Sequence, residues 1–246
     1  MKPAPFEYRS PRTLDEALEI LAEEGEGARI LAGGQSLVPA MNFRLAAPAV
    51  LVDLNRVPEL SHIRESDGGL KDGTGGLAIG AMTRQREVER SPLVAARAPL
   101  LHETMPFIAH PQIRNRGTVG GSVAHADPAA EIPAVMVALG ARFRASSRRE
   151  PGGRWIDAGD FFTGFFATAL APDEILVEIE TRPPRPGSGA AFCEIARRHG
   201  DYALVGVAAV VTLGADGRCE EARVVLLSVG DGPVSAPSVG RALDGE

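Results

Sequence analysis

Gln112-Ile-Arg-Asn-Arg-Gly-Thr-Val-Gly-Gly-Ser122 and the earlier Ala32-Gly-Gly-Gln-Ser36, 86 residues before Thr118 at Ala32, are the two stretches on which the fold turns. Paired glycines let a backbone come close to an anion and turn successive N–H groups toward it. Ser36, Thr118 and Ser122 add hydroxyl donors beside those amides. Two such loops set face to face would hold a pyrophosphate from both sides without any lysine. Taken singly, either loop is also explained by a tight turn. Neither is a Walker P-loop, because no Gly-Lys-Ser/Thr follows; neither is a Rossmann fingerprint, because no G-x-G-x-x-G opens a helix after a strand. A nucleotide bound between them needs a different fold.

Downstream of the second loop, Asp127 lies in His125-Ala-Asp-Pro-Ala-Ala-Glu131. Its carboxylate would accept hydrogen bonds from sugar hydroxyls, or cap the next helix with Pro128 at the first helical position. His110, His125 and Asp127 raise a metal site, but their spacing matches no standard ligand set. Tyr202, in Arg197-Arg-His-Gly-Asp-Tyr-Ala-Leu204, is one of two tyrosines. It suits either a planar ligand or an ordinary strand edge. No Ser-His-Asp order, nucleophilic cysteine with a partner, or telling carboxylate pair emerges. If the protein is an enzyme, a cofactor carries the chemistry.

Around these loops the apolar periodicity gives a coarse map. Residues 12–24 form an amphipathic helix, with Thr13 as N-cap and Glu16 completing a capping box. A strand follows at Ala28–Ala32, then the first glycine loop, a short helix through Leu45 and a buried strand at Val50–Leu54. Turn-rich Ser66–Gly69 and Asp72–Gly76 precede a strand at Leu77–Met82. Thr83 caps a helix over 84–89, and one helical stretch runs from about Leu93 to Ile108. A loop covers 110–128, a helix 132–141, and a strand begins at Arg142. Asp157–Phe166 places four phenylalanines near a turn. Thr181-Arg-Pro-Pro-Arg-Pro-Gly-Ser-Gly189 is the best boundary,. Strands at 190–197, 203–213 and 221–229 then read as an antiparallel sheet.

Composition narrows the function. The chain has 246 residues, 44% apolar and 24% charged, which is globular,. It carries 26 basic against 32 acidic residues and only 5% aromatics, so neither a basic footprint nor a stacking platform for nucleic acid is present,. Only Lys2 and Lys71 among the basic residues are lysines. No apolar run reaches the ~20 residues of a membrane span, and the first residues lack a signal core. Cys193 and Cys219 make neither a disulfide framework nor a CxxC site,. A cytoplasmic protein is the expectation.

Taken together, the motifs resemble one family along essentially the whole chain. Leu31-Ala-Gly-Gly-Gln-Ser-Leu-Val-Pro39, Asn42-Phe-Arg-Leu-Ala46, Val52-Asp-Leu54, Ile79-Gly-Ala-Met-Thr83, Pro111 to Ser122, Asp127-Pro-Ala-Ala-Glu131, Phe161–Phe166, Glu174-Ile-Leu176 and Gly200-Asp-Tyr-Ala203 occur in its order. The sequence resembles the FAD-binding medium subunit of molybdenum hydroxylases, in the carbon monoxide dehydrogenase branch related to xanthine dehydrogenase. That resemblance implies an α+β fold: a vanillyl-alcohol-oxidase type FAD-binding domain of two α/β subdomains, plus a smaller C-terminal domain with an antiparallel sheet. It sets the FAD domain at 1–182, with subdomains about 1–57 and 58–182, and the C-terminal domain at 187–246. The family's C-terminal domain usually continues for some tens of residues more.

Residue by residue, the resemblance implies that Leu31, Ala32, Gly33, Gly34, Gln35, Ser36 and Leu37, with Thr118, Val119, Gly120, Gly121 and Ser122, hold non-covalent FAD through its pyrophosphate. Asp127 would take sugar hydroxyls, Leu176 would lie along the flavin, and Tyr202 would rest on its ring. It further implies a small partner with two [2Fe–2S] clusters, a large partner with the molybdenum cofactor, a dimer of heterotrimers, and an external electron acceptor. A stand-alone flavin oxidase or dehydrogenase of this fold, and a structural subunit with a degenerate site, are the alternatives. Three positions depart from the pattern: Gln35 where relatives have His, Ser122 where Asn is usual, and Glu194 where Lys is common.

Overall fold

The computed structural model describes residues 2–66 and 75–246. The first unit is a small parallel layer. Strand β1 (Glu7–Arg9) leads to helix α1 (Leu14–Glu24), strand β2 (Ala28–Leu31), helix α2 (Leu37–Asn42) and strand β3 (Val50–Asp53), with sheet order β1-β3-β2. Ala17, Leu18 and Leu21 on one face of α1 are buried against Val50, Val52 and Leu54. Thr13 accepts from the Glu16 amide at 3.2 Å, as expected of an N-cap. The return arm is displaced by one residue: the Glu16 carboxylate takes the Arg12 amide at 2.7 Å. The short second helix ends at Asn42 rather than at Leu45.

Next come β4 (Ile63–Glu65) and β5 (Leu77–Gly80), which enter a five-stranded antiparallel sheet. The expected turns at 66–69 and 72–76 fall largely on positions outside the described residues. The helix expected over 84–89 is present as α3 (Gln85–Arg90), but two helices, α4 (Pro92–Arg97) and α5 (Pro99–Thr104), and a 3₁₀ turn at Met105–Phe107 replace the single stretch expected over 93–108. Pro92 and Pro99 each start a helix, and Pro106 is the second residue of the tighter turn, because proline lacks the N–H that an uninterrupted helix requires,. Thr83 caps nothing. Its hydroxyl bonds the backbone of His62, and Arg84 occupies the cap position of α3.

The expected loop at 110–128 is also largely helical. It contains α6 (Pro111–Arg114) and α7 (Val119–His125), so the glycine pair lies in the first turn of a helix capped by the Thr118 hydroxyl. Helix α8 (Glu131–Ala138) follows, capped by Ala130. Asp127 is therefore no helix cap, and Pro128 no first helical residue. Asp127 instead accepts the Ala129 amide at 2.9 Å in a tight turn.

Strands β6 (Arg142–Ser146) and β7 (Arg154–Asp157), helix α9 (Ala158–Phe161) and the hairpin β8 (Phe162–Gly164) with β9 (Ala167–Thr168) lead to β10 (Ile175–Thr181). The sheet order is β4-β5-β10-β6-β7. A bulge between Leu176 and Glu178 interrupts the alternation of β10,. In consequence Ile175 and Val177 pack into the core under α1, while Leu176 and Ile179 pack into the larger core under α5 and α8.

Strands β11 (Ser188–Ala196), β12 (Ala203–Leu213), β13 (Cys219–Leu227) and β14 (Val234–Ser235) form an antiparallel sheet in chain order, with α10 (Pro237–Leu243) against β13. Helices α5 and α8 pack between this sheet and the five-stranded one. Phe107 meets Phe192 edge-on at 5.2 Å across that seam.

Candidate functional site

Loop and helix converge at the two glycine stretches. Parallel strand β2 ends at Leu31 and releases the chain into Ala32–Ser36 before α2 begins. A Cβ on Gly33 would meet the Arg116 carbonyl oxygen at 2.5 Å and the Gly117 Cα at 2.7 Å. One on Gly121 would come within 3.4 Å of the Ala32 side chain. The two loops therefore abut, and glycine is required because backbone lies against backbone. Gly34 also has φ +64°, in the left-handed region.

The two loops are not equivalent donors. In the second, the Val119 amide bonds Thr83 O, Gly120 bonds Ala81 O, Gly121 bonds the Thr118 hydroxyl and Ser122 bonds Thr118 O. Those amides are consumed by the fold, leaving the Thr118 and Ser122 hydroxyls. In the first, none of the amides of Gly33, Gly34, Gln35 and Ser36 donates to a protein acceptor among the described residues. The Gln35 side chain instead donates to Gly33 O at 2.9 Å.

Gly33, Gly34 and Gln35 of this loop line a cleft of about 360 Å³, together with Leu31, Ala32, Val38, Pro39, Asp53, Asn55 and Arg116. The Arg116 guanidinium has no carboxylate partner among the described residues, so it supplies positive charge at the rim. A row of unpaired amides beside a guanidinium suits a pyrophosphate; the residues fit the diphosphate of a dinucleotide. Ser36 and Leu37 border the same loop.

The remaining expected residues lie after α7 in the chain. Asp127 is half-buried in its turn, and the Ser228 amide ties the C-terminal sheet to Pro128 O at 2.9 Å. Tyr202 is 69% exposed at the start of β12. Burial of part of its ring, with the charges of Asp127 and Glu131 facing it, pushes its pKa up. Asp127, Glu131 and Tyr202 thus share one neighbourhood. Leu176 is buried at the start of β10, and the adjacent Glu174 is held by Arg154 at 2.7 Å. Among the described residues no group of three or more His, Cys, Asp or Glu could hold a metal ion. His125 packs against Phe166 with ring centroids 5.0 Å apart and planes tilted by 50°, and burial lowers its pKa.

Sequence reasoning missed Glu131. Only 8% exposed, its carboxyl has no cationic partner among the described residues; burial first, then Glu194 and Asp127, push its pKa up to about 7. The signal was an acid inside an otherwise apolar helix start, Ala130-Glu-Ile-Pro133. Glu194 itself is half-buried, its Oε2 has no hydrogen-bond partner among the described residues, and burial raises its pKa. Sequence reasoning also missed Asn55 and Arg84, which no local pattern connects.

This combination, two abutting glycine stretches between a small parallel layer and an antiparallel sheet, defines a dinucleotide-binding flavoprotein fold. The model for the FAD binding domain in molybdopterin dehydrogenase matches residues 4–181, and that for the CO dehydrogenase flavoprotein C-terminal domain matches residues 190–246. The chain belongs to this family of FAD-binding molybdopterin dehydrogenase subunits, and is an oxidoreductase component. It is 46% identical to the 6-hydroxypseudooxynicotine dehydrogenase complex subunit alpha of Paenarthrobacter nicotinovorans, over 94% of this chain and 75% of that one. It is 40% identical to the carbon monoxide dehydrogenase medium chain of Afipia carboxidovorans, over 100% and 82%. The solved carbon monoxide dehydrogenase from Hydrogenophaga pseudoflava, which lacks the Mo-pyranopterin moiety, superimposes with a TM-score of 0.93 at 39% identity, over 100% of this chain and 82% of that one.

Proposed function

We propose that the chain is the FAD-carrying electron-transfer subunit of a cytoplasmic molybdenum hydroxylase. It would take electrons from two [2Fe–2S] clusters on a small partner and pass them to an external acceptor. The molybdenum cofactor would sit on a large partner, in a dimer of heterotrimers. The observation that carries the reading is the row of four unpaired amides, Gly33 to Ser36, beside Arg116 in a chain of this family. FAD supplies the one- and two-electron redox chemistry when bound. This chain's residues position it: Leu31–Leu37 and Thr118–Ser122 at the pyrophosphate, Asp127 at the sugar hydroxyls, Leu176 along the ring system and Tyr202 on its face.

Residues 1–182 would form the FAD unit, with subdomains about 1–57 and 58–182, and 187–246 the C-terminal unit. The sheet memberships support that division. Two free cysteines, one of them buried, are too few for even one four-thiolate cluster, which favours clusters on another chain,. The relatives' names differ in substrate, from 6-hydroxypseudooxynicotine to carbon monoxide, which favours substrate choice elsewhere in the complex.

Purification with a visible spectrum tests the reading. The expected product is a yellow chain, or a chain that turns yellow on adding FAD, recovered with iron–sulfur and molybdenum partners. A colourless chain that takes up no FAD would overturn it. Bleaching of the flavin by an organic substrate added to the isolated chain would favour a stand-alone enzyme.

A further inference from the structure

We propose that Asn55 and Arg84 are positioning residues for the dinucleotide diphosphate: a hydrogen-bonded relay through them fixes the spacing of the two glycine stretches and aims the first loop's amides into the cleft. The inference rests on FAD binding at this cleft.

The relay begins at Asp53, at the end of β3. Its Oδ2 accepts the Tyr8 hydroxyl at 2.5 Å, and its Oδ1 accepts the Asn55 backbone amide at 2.9 Å and the Asn55 side-chain amide. The Asn55 Nδ2 also donates to Ala32 O at 3.0 Å. On its other side, Asn55 Oδ1 accepts from Arg84 Nη2, and Arg84 Nη1 donates to Arg116 O. The side-chain orientation of Asn55 is dictated, because its nitrogen faces two acceptors and its oxygen faces a guanidinium.

A trans peptide sends its C=O and the following N–H in opposite directions. With Ala32 O pinned by Asn55, the Gly33 N–H points the opposite way. With Gly33 O pinned by Gln35, the Gly34 N–H is aimed likewise. Arg84 performs the matching task across the gap. The Arg116 carbonyl it holds is the group that packs where a Gly33 side chain would be. Its own backbone is anchored independently: Arg84 bridges Thr118 in an antiparallel pair, and the Gln85 amide bonds Gly117 O at 2.9 Å. The guanidinium of Arg84 therefore links the parallel layer, through Asn55, to the segment that starts α7. It has no carboxylate within ion-pair distance among the described residues. Partial burial and the charge of Arg116 both lower its pKa, a cost that a nearby anion would offset,.

Flavin-stripped full chain, as wild type, Asn55→Ala and Arg84→Lys, titrated separately with FAD and with riboflavin, tests the relay. Riboflavin carries the ring and ribityl chain without the diphosphate. The expected result is FAD affinity weakened about tenfold or more in each variant, the scale of losing one or two hydrogen bonds, with riboflavin affinity unchanged. Melting midpoints of the stripped proteins should coincide. Arg84→Lys keeps the charge but loses the two-point reach, so it carries the test should Asn55→Ala fail to fold. Equal weakening toward both ligands, or undiminished FAD binding in folded variants of a wild type that binds FAD, overturns the relay. A wild-type chain that binds no FAD overturns the underlying cofactor reading with it.

Discussion

Gly33 has no room for even one methyl group, because the Arg116 carbonyl oxygen stands 2.5 Å from where its Cβ would be. Gly33→Ala must push the Arg116 carbonyl away, widening the gap between the loops. We expect FAD affinity to fall at least tenfold while the apoprotein stays folded, measured by fluorescence titration. Glu131 gives a second prediction at this scale. Its carboxyl is raised from 4.5 to about 7 by burial and by Glu194 and Asp127. Between those values the folded chain keeps a proton that the unfolded chain has lost, so this group's contribution to stability falls as pH rises through the window. Glu131→Gln should match wild type near pH 4 and exceed it by on the order of 3 kcal/mol at pH 8, read from urea denaturation. An equal difference at both pH values would remove Glu131 as the titrating group. The glycines and Tyr202 stand out in the sequence as residue types in a pattern. Glu131, Asn55 and Arg84 do not, because what distinguishes them is burial and partners separated by dozens of residues.

Helices and strands were legible where local chemistry and tertiary packing agree. Helix α1 carries its cap, its apolar face and its glycine stop within one window of sequence. Strands β11 to β13 lie within a few residues of the expected bounds, since alternation and turns announce them. The stretch 93–108 was misread because its apolar content runs on while Pro99 and Pro106 break the hydrogen-bond ladder. Helix α7 was misread for the opposite reason: Gly120 and Gly121 are poor helix formers. Tertiary contact overrides propensity there. A Cβ on Gly120 would meet Ala81 at 2.4–2.7 Å, and the Gly120 amide bonds Ala81 O. Gly120→Ala should therefore destabilise the fold despite alanine's better helix propensity, by about 1–3 kcal/mol of overpacking, checked by thermal or urea melts. A neutral or stabilised variant would show that the contact yields.

Across the whole molecule, the two cores meet in β10. Ile175 and Val177 serve the core of the parallel layer, and Leu176 and Ile179 serve the core between the sheets. Ile179→Ala empties a fully buried site, and we expect a loss of about 2–5 kcal/mol,. Because the strand belongs to both cores, the midpoint should shift as one transition by every probe, rather than leave one half folded. The β10 bulge therefore has a consequence on the timescale of amide hydrogen exchange. A central strand clamped from both faces has no partial opening of its own, so its N–H groups should exchange only when the entire chain unfolds. The slowest-exchanging amides should form one contiguous block centred on Ile175–Thr181, with protection equal to the global stability. The strand shared by the two cores would then be the most rigid element of the molecule, and the cleft could not gape by letting go of one half.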